Sequence, residues 1–121
     1  MKFVDTNTLV RIITGDDRDL LDKALESIES YGKDKLYIDE TVLVELCFVL
    51  EFHDYKMERQ DIHDAVIDIL DSPQFSCSDY VQESMKIYKD NPKLDFTDSL
   101  LMVKSNNFVL TFDKDILKIV N

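Results

Sequence analysis

Four short apolar runs alternate with longer helix-like stretches along this chain, and that alternation limits the fold more than any other feature. Lys2-Phe3-Val4, Lys35-Leu36-Tyr37-Ile38, Phe75-Ser76-Cys77 and Phe108-Val109-Leu110-Thr111-Phe112 each read as a strand, the first and last of them buried and the third weak. Thr6-Asn7-Thr8 offers N-cap chemistry to a helix that runs through Leu9–Ile13 and stops near Gly15. Asp16 to Tyr31 carries Leu20, Leu21, Ala24, Leu25 and Ile28 at helical spacing, ahead of Gly32. Val42 to about Asp54 is apolar almost all round, which predicts a buried helix. Further helices are predicted over Arg59–Leu70, Asp79 to about Tyr88, Asp95 to about Ser105, and from Asp113 onward. Strands that alternate with helices imply a parallel sheet covered on both faces, an α/β/α sandwich with a short central sheet.

The length of 121 residues fits one domain, expected to span residues 1–121. A hydrophobic share of 45%, with seven Phe and five Tyr, supplies a core without disulfides or a structural metal. Met1-Lys2-Phe3-Val4-Asp5 does not begin like a signal peptide, and no apolar stretch approaches the length of a membrane span. Cys47 and Cys77 do not form a CxxC pair, and Cys47 lies in an apolar run as a buried free thiol would. A reducing, cytoplasmic location is the expectation. The net charge of −11 argues against broad electrostatic binding of nucleic acid. Any nucleic-acid chemistry must draw positive charge from a bound cation or from a local minority of Lys and Arg.

Five acids stand where chemistry would use them. Asp5 and Asp113 each follow a predicted strand, at the edge where parallel sheets bind ligands. Asp95 and Asp98 lie one turn apart on one helix face. Taken singly, each of these can be a helix cap or a first-turn charge. Glu45 sits within the most apolar predicted helix, between Val44 and Leu46, with no Lys or Arg within a turn. A buried carboxylate costs several kcal/mol, roughly, unless it is protonated, paired or bound to a cation. The set therefore predicts a shared polar pocket. Crowded carboxylates need a cation, and all-oxygen ligands suit Mg²⁺ or Mn²⁺ over Zn²⁺. Without that cation their pKa values are expected to be raised. His53 and His63 read as surface residues.

These residues, in order, resemble the PIN-domain family, in particular the VapC-type toxin ribonucleases of type II toxin–antitoxin systems. The matching segments are Phe3-Val4-Asp5-Thr6-Asn7-Thr8-Leu9-Val10-Arg11, Val42-Leu43-Val44-Glu45-Leu46 with Val49-Leu50, Asp95-Phe96-Thr97-Asp98-Ser99-Leu100, and Leu110-Thr111-Phe112-Asp113. The resemblance implies an endoribonuclease that uses Mg²⁺ or Mn²⁺, with Asp5, Glu45, Asp98 and Asp113 as the metal-site acids. It implies a lesser role for Asp95. Thr6, Asn7 and Thr111 would hold the carboxylates by hydrogen bonds, and Arg11 matches a basic position in the first helix. The partners implied are an RNA substrate, an antitoxin protein and a second copy of the chain as a homodimer.

The segment Met102-Val103-Lys104-Ser105-Asn106-Asn107 departs from the family, which often has a small residue in this helix and a Gly before the last strand. Asn tolerates the left-handed cap conformation, so the fold is expected to survive the change. The chemistry expected is hydrolysis of an RNA phosphodiester by metal-activated water, with no covalent intermediate. Two alternatives are a PIN-like binding protein without activity and a Mg²⁺-dependent receiver-type signalling domain. The latter would need a phosphoacceptor Asp after a central strand, where this chain has an apolar helix.

Overall fold

The computed structural model describes residues 1–120, which separate into two compact units, Met1–Ser78 and a second from Asp79 onward. The first unit begins with β1 (Lys2–Phe3), α1 (Thr6–Thr14) and α2 (Arg18–Glu29). It continues with β2 (Leu36–Tyr37), α3 (Glu40–Phe52), α4 (Arg59–Leu70) and β3 (Phe75–Ser76). The strands form a parallel sheet in the order β1-β2-β3, with Lys2 opposite Leu36 and Leu36 opposite Phe75. Parallel neighbours need long crossovers, and a helix pair supplies each one here.

Local chemistry sets the helix ends. Asp5, Asp17 and Asp39 cap α1, α2 and α3 through side-chain bonds to the backbone N–H groups of Thr8, Leu20 and Thr41. Gly15 closes α1 at φ 58°, where its N–H reaches the Arg11 carbonyl at 2.9 Å. A side chain at that φ would be strained, so glycine belongs there. Leu9, Leu36, Ile38, Leu43, Leu46, Leu50 and Ile62 make the core of this unit. Cys47 lies among them, and burial pushes its thiol up to about 12.

The second unit holds α5 (Val81–Asp90), α6 (Phe96–Ser105) and α7 (Lys114–Val120). Tyr88 and Phe96 meet edge to face at 6.1 Å in its core. Leu94, Met102 and Ile116 form a second buried cluster against which Val109 packs. Asn106 and Asn107 both take positive φ after α6, as expected for asparagine in a left-handed cap.

Three predictions from sequence are corrected. Phe108–Phe112 forms no strand among the described residues, and Phe108, Leu110 and Phe112 are 92–93% exposed. Apolar alternation tells which face a strand would bury, but it cannot supply the neighbouring strand that makes a ladder. β1 is an edge strand rather than a buried one, and Phe3 is exposed while Val4 is buried. α3 is not buried all round: Thr41, Glu45, Phe48 and Phe52 form an exposed stripe along it. Phe48 and Phe52 cover each other there, ring centres 5.5 Å apart, which removes part of the apolar surface from water.

Candidate active site

Asp5 is placed by the turn from β1 into α1. Its backbone is extended, and Oδ1 accepts from both the Thr8 backbone N–H at 2.9 Å and the Thr8 hydroxyl at 2.6 Å. The hydroxyl bond, followed by the backbone bond, holds the Asp5 carboxyl below the usual carboxylate range, against a small opposing effect of burial. Sequence reasoning assigned this support to Thr6 and Asn7. Among the described residues neither side chain bonds a carboxylate: Thr6 is buried and Asn7 exposed. Thr8 is the residue that was missed, and the signal for it was the three-residue spacing of a capped helix start.

Glu45 is exposed on the outer stripe of α3. The desolvation cost that singled it out is therefore not incurred. Arg11 does not point at open solvent: its Nη1 donates to both oxygens of Asp16, at 2.9 and 3.0 Å. Asp16 also accepts from the Tyr55 hydroxyl at 2.8 Å, tying α1 to the segment after α3.

In the second unit Asp95 and Asp98 form a reciprocal cap at the head of α6. The Asp98 N–H donates to Asp95 Oδ1 at 2.7 Å, and the Asp95 N–H reaches Asp98 Oδ2 at 3.4 Å. Two carboxylates thus face one another. Burial raises the Asp98 pKa first, the Asp95 charge raises it next, and Asp113 adds to the same direction. Asp113 follows no strand, in contrast to the sequence expectation. Its Oδ1 accepts from the backbone N–H groups of Asp115 and Ile116 at 2.8 and 3.2 Å, at the start of α7. The Thr111 hydroxyl accepts from the Asp113 N–H at 3.0 Å, so Thr111 positions Asp113 through its backbone and does not bond its carboxylate.

Each acid is thus anchored by its own helix end. The expectation of uniformly raised pKa values is corrected at Asp5, where the Thr8 donors outweigh the effect of burial. No group of three or more His, Cys, Asp or Glu residues among the described residues stands ready to hold a metal ion. The donor chemistry still suits a hard cation at Asp95 and Asp98: the repulsion between an exposed carboxylate and a partly buried one is relieved by either a proton or a divalent ion.

Residues 2–121 match the PIN domain, a span that takes in every acid described above. The chain belongs to the PIN-domain family. With that membership comes the α/β/α class expected from the sequence, and the receiver-type alternative falls. The chain is also 32% identical over 109 residues to the VapC ribonuclease of Aquifex aeolicus (strain VF5), covering 87% of this chain and 78% of that protein. No solved structure matches the chain significantly. No helix among the described residues of this PIN domain is long and apolar enough to cross a membrane.

Proposed function

We propose that this PIN domain is an endoribonuclease dependent on Mg²⁺ or Mn²⁺, and the toxin of a toxin–antitoxin pair. Asp5, Glu45, Asp98 and Asp113 are the residues assigned to the metal, with Asp95 in support. The observation that carries the reading is the family match running unbroken from residue 2 to 121, with all four acids inside it. The relative named as a VapC ribonuclease supports RNA as the substrate.

A bound divalent ion would supply charge neutralisation at the scissile phosphate and a water of lowered pKa. The chain's own residues do the rest. Thr8 fixes one oxygen of Asp5 and lowers the carboxyl's pKa below its ordinary value. The reciprocal cap fixes Asp98 against Asp95, where their repulsion favours a cation. Thr111 and the α7 backbone hold Asp113 in one orientation. An acidic set of this kind is also well matched to an inserted guanidinium, which supports inhibition by an antitoxin arginine. Pairing into a homodimer is proposed from the family resemblance.

Purified protein with Mg²⁺ or Mn²⁺ should cut structured cellular RNA, and a chelator should stop it. Cleavage at full rate in the chelator overturns the metal reading, and absence of cleavage under all metal conditions overturns the ribonuclease reading. Expression alone should slow growth, and co-expression of an antitoxin should relieve it.

A further inference from the structure

Two helices of the first unit carry the acids assigned to the metal there: Asp5 caps α1, and Glu45 stands on α3. The sheet ties their starting ends. β1 and β2 pair directly, and the Val4 N–H ahead of α1 donates to the Tyr37 carbonyl ahead of α3 at 2.9 Å. The helices then pack against each other, and both bury apolar side chains, Leu9 and Val10 on α1 and Leu43, Leu46 and Leu50 on α3. Apolar burial is non-directional, whereas a hydrogen bond fixes distance and direction. One carboxylate supplies such bonds at the C-terminal ends. Gly15 turns the chain at φ 58°, and Asp16 comes back beside the last turn of α1. Its Oδ1 accepts from Arg11 Nη1 at 2.9 Å and from the Thr14 hydroxyl at 3.1 Å. Its Oδ2 accepts from Arg11 Nη1 at 3.0 Å and from the Tyr55 hydroxyl at 2.8 Å. Tyr55 lies in the turn between α3 and α4, and that turn is itself pinned. The Met57 N–H donates to the Leu50 carbonyl at 2.8 Å, and Lys56 is held at φ 45°, in the left-handed region. A non-glycine residue persists there where its surroundings over-determine it.

We propose that Asp16 and Tyr55 are positioning residues, which lock the C-terminal end of α1 to the turn after α3 and so set Asp5 on α1 in register with Glu45 on α3. The inference rests on the ribonuclease reading above and adds to it two residues outside the acidic set. α1 is a rod of nine residues, about 14 Å long, so freedom at its C-terminal end is passed on to Asp5 at the other. A misplacement of about 1 Å at a reacting centre can cost on the order of a hundredfold in rate. A plain structural staple is the competing reading. It predicts a loss of stability with no change in what the acids bind. Solvent screens ties of this exposure, so their worth to stability is small and their effect lies in direction.

The test uses the full chain and reads Mn²⁺ binding by calorimetry, with no RNA present. Tyr55→Phe deletes one hydroxyl and changes no charge, so the long-range field of the molecule stays as it was. It should raise the Mn²⁺ Kd about threefold or more, the scale on which residues that touch neither ligand act. Asp16→Asn should raise it further. The double variant should be no worse than Asp16→Asn alone, because both changes break the same bond. Ile62→Val is the control: it takes one methylene from the core on α4 and should lower the melting temperature more than Tyr55→Phe does. Its Mn²⁺ Kd should change less than about twofold. In cleavage assays at limiting Mn²⁺, Tyr55→Phe should lower kcat, leave KM for RNA unchanged, and recover as Mn²⁺ is raised. Equal Mn²⁺ Kd values in wild type and Tyr55→Phe overturn the positioning role and leave the ribonuclease reading standing. An equal rise in Ile62→Val does the same, since it traces the effect to stability. Wild-type protein that neither binds Mn²⁺ nor cuts RNA overturns both.

Discussion

Asp5 and Asp98 both lie at the N-terminal end of a helix, Asp5 capping α1 and Asp98 in the first turn of α6, yet their surroundings push them in opposite directions. Asp5 receives two donors from Thr8 and is held below the ordinary carboxylate range. Asp98 is more buried, faces Asp95 and is raised. Helix ends favour negative charge in both cases. What decides is the surroundings: the Thr8 hydroxyl and N–H stabilise the ionised form of Asp5, whereas burial first and the Asp95 carboxylate next oppose it at Asp98. The lesson concerns roles. Asp5 is already stabilised as an anion by its donors, whereas the proposed role of Asp98 is to gain from a cation.

The largest effect expected is on cleavage. Asp98→Asn and Asp5→Asn should each lower kcat on the order of a hundredfold or more, the scale on which a lost charge-stabilising group acts. Circular dichroism should show both variants folded. A variant that retains near full activity leaves the site.

Stability separates the two next. Asp5→Ala removes the α1 cap and should cost about 1 kcal/mol, whereas Asp5→Asn should cost only tenths, because Asn caps as well as Asp. In chelator at pH 7, Asp98→Asn should leave the melting temperature unchanged or raise it, since it removes a repulsion. A functional site often carries such a cost. A clear loss of stability in Asp98→Asn would make that residue a plain helix cap.

The pH dependence follows from the directions of the shifts. A lowered folded pKa makes the stability from Asp5 present above the unfolded value of 3.8 and lost as pH falls through the folded value. The deficit of Asp5→Ala should therefore shrink below pH 4. Asp98 has the opposite sign. Its contribution is fully present below 3.8 and is lost as pH rises through its raised folded pKa. The advantage of Asp98→Asn over wild type should grow between pH 3 and 7. Denaturant melts over that range check both trends.

Thr8→Val should bring the Asp5 pKa back up toward its ordinary value, with little effect on Asp98. The smallest effect is expected at Arg11→Ala. Its pair with Asp16 is about one-third exposed on both sides, and solvent screens such pairs to a small contribution.

Much of this was legible in the residues. Aspartates at positions 5 and 95, with apolar spacing after them, announced α1 and α6, and β2 and α4 fell where apolar runs put them. Cap and spacing signals are local, so a single sequence carries them in full. The errors came where the outcome depends on distant neighbours. Val42–Phe52 reads as buried all round, yet solvent faces its Glu45, Phe48 and Phe52 stripe. Phe108–Phe112 has the alternation of a strand but no ladder partner among the described residues. The acids of the proposed site could be put forward from their order along the chain. Which hydroxyl serves which carboxylate could not, because Thr6, Asn7 and Thr8 differ only in direction around a helix turn.

The most direct test of the account is the pair of side-chain carboxyl pKa values, read by carbon-13 NMR in the intact protein with and without Mg²⁺. Without Mg²⁺ the account predicts Asp98 above its ordinary value and Asp5 below it. With saturating Mg²⁺ the Asp98 value should fall toward or below that of Asp5, because a bound divalent ion replaces repulsion with attraction. An Asp98 value that stays raised and unmoved by Mg²⁺ would contradict the assignment of this residue to a metal site.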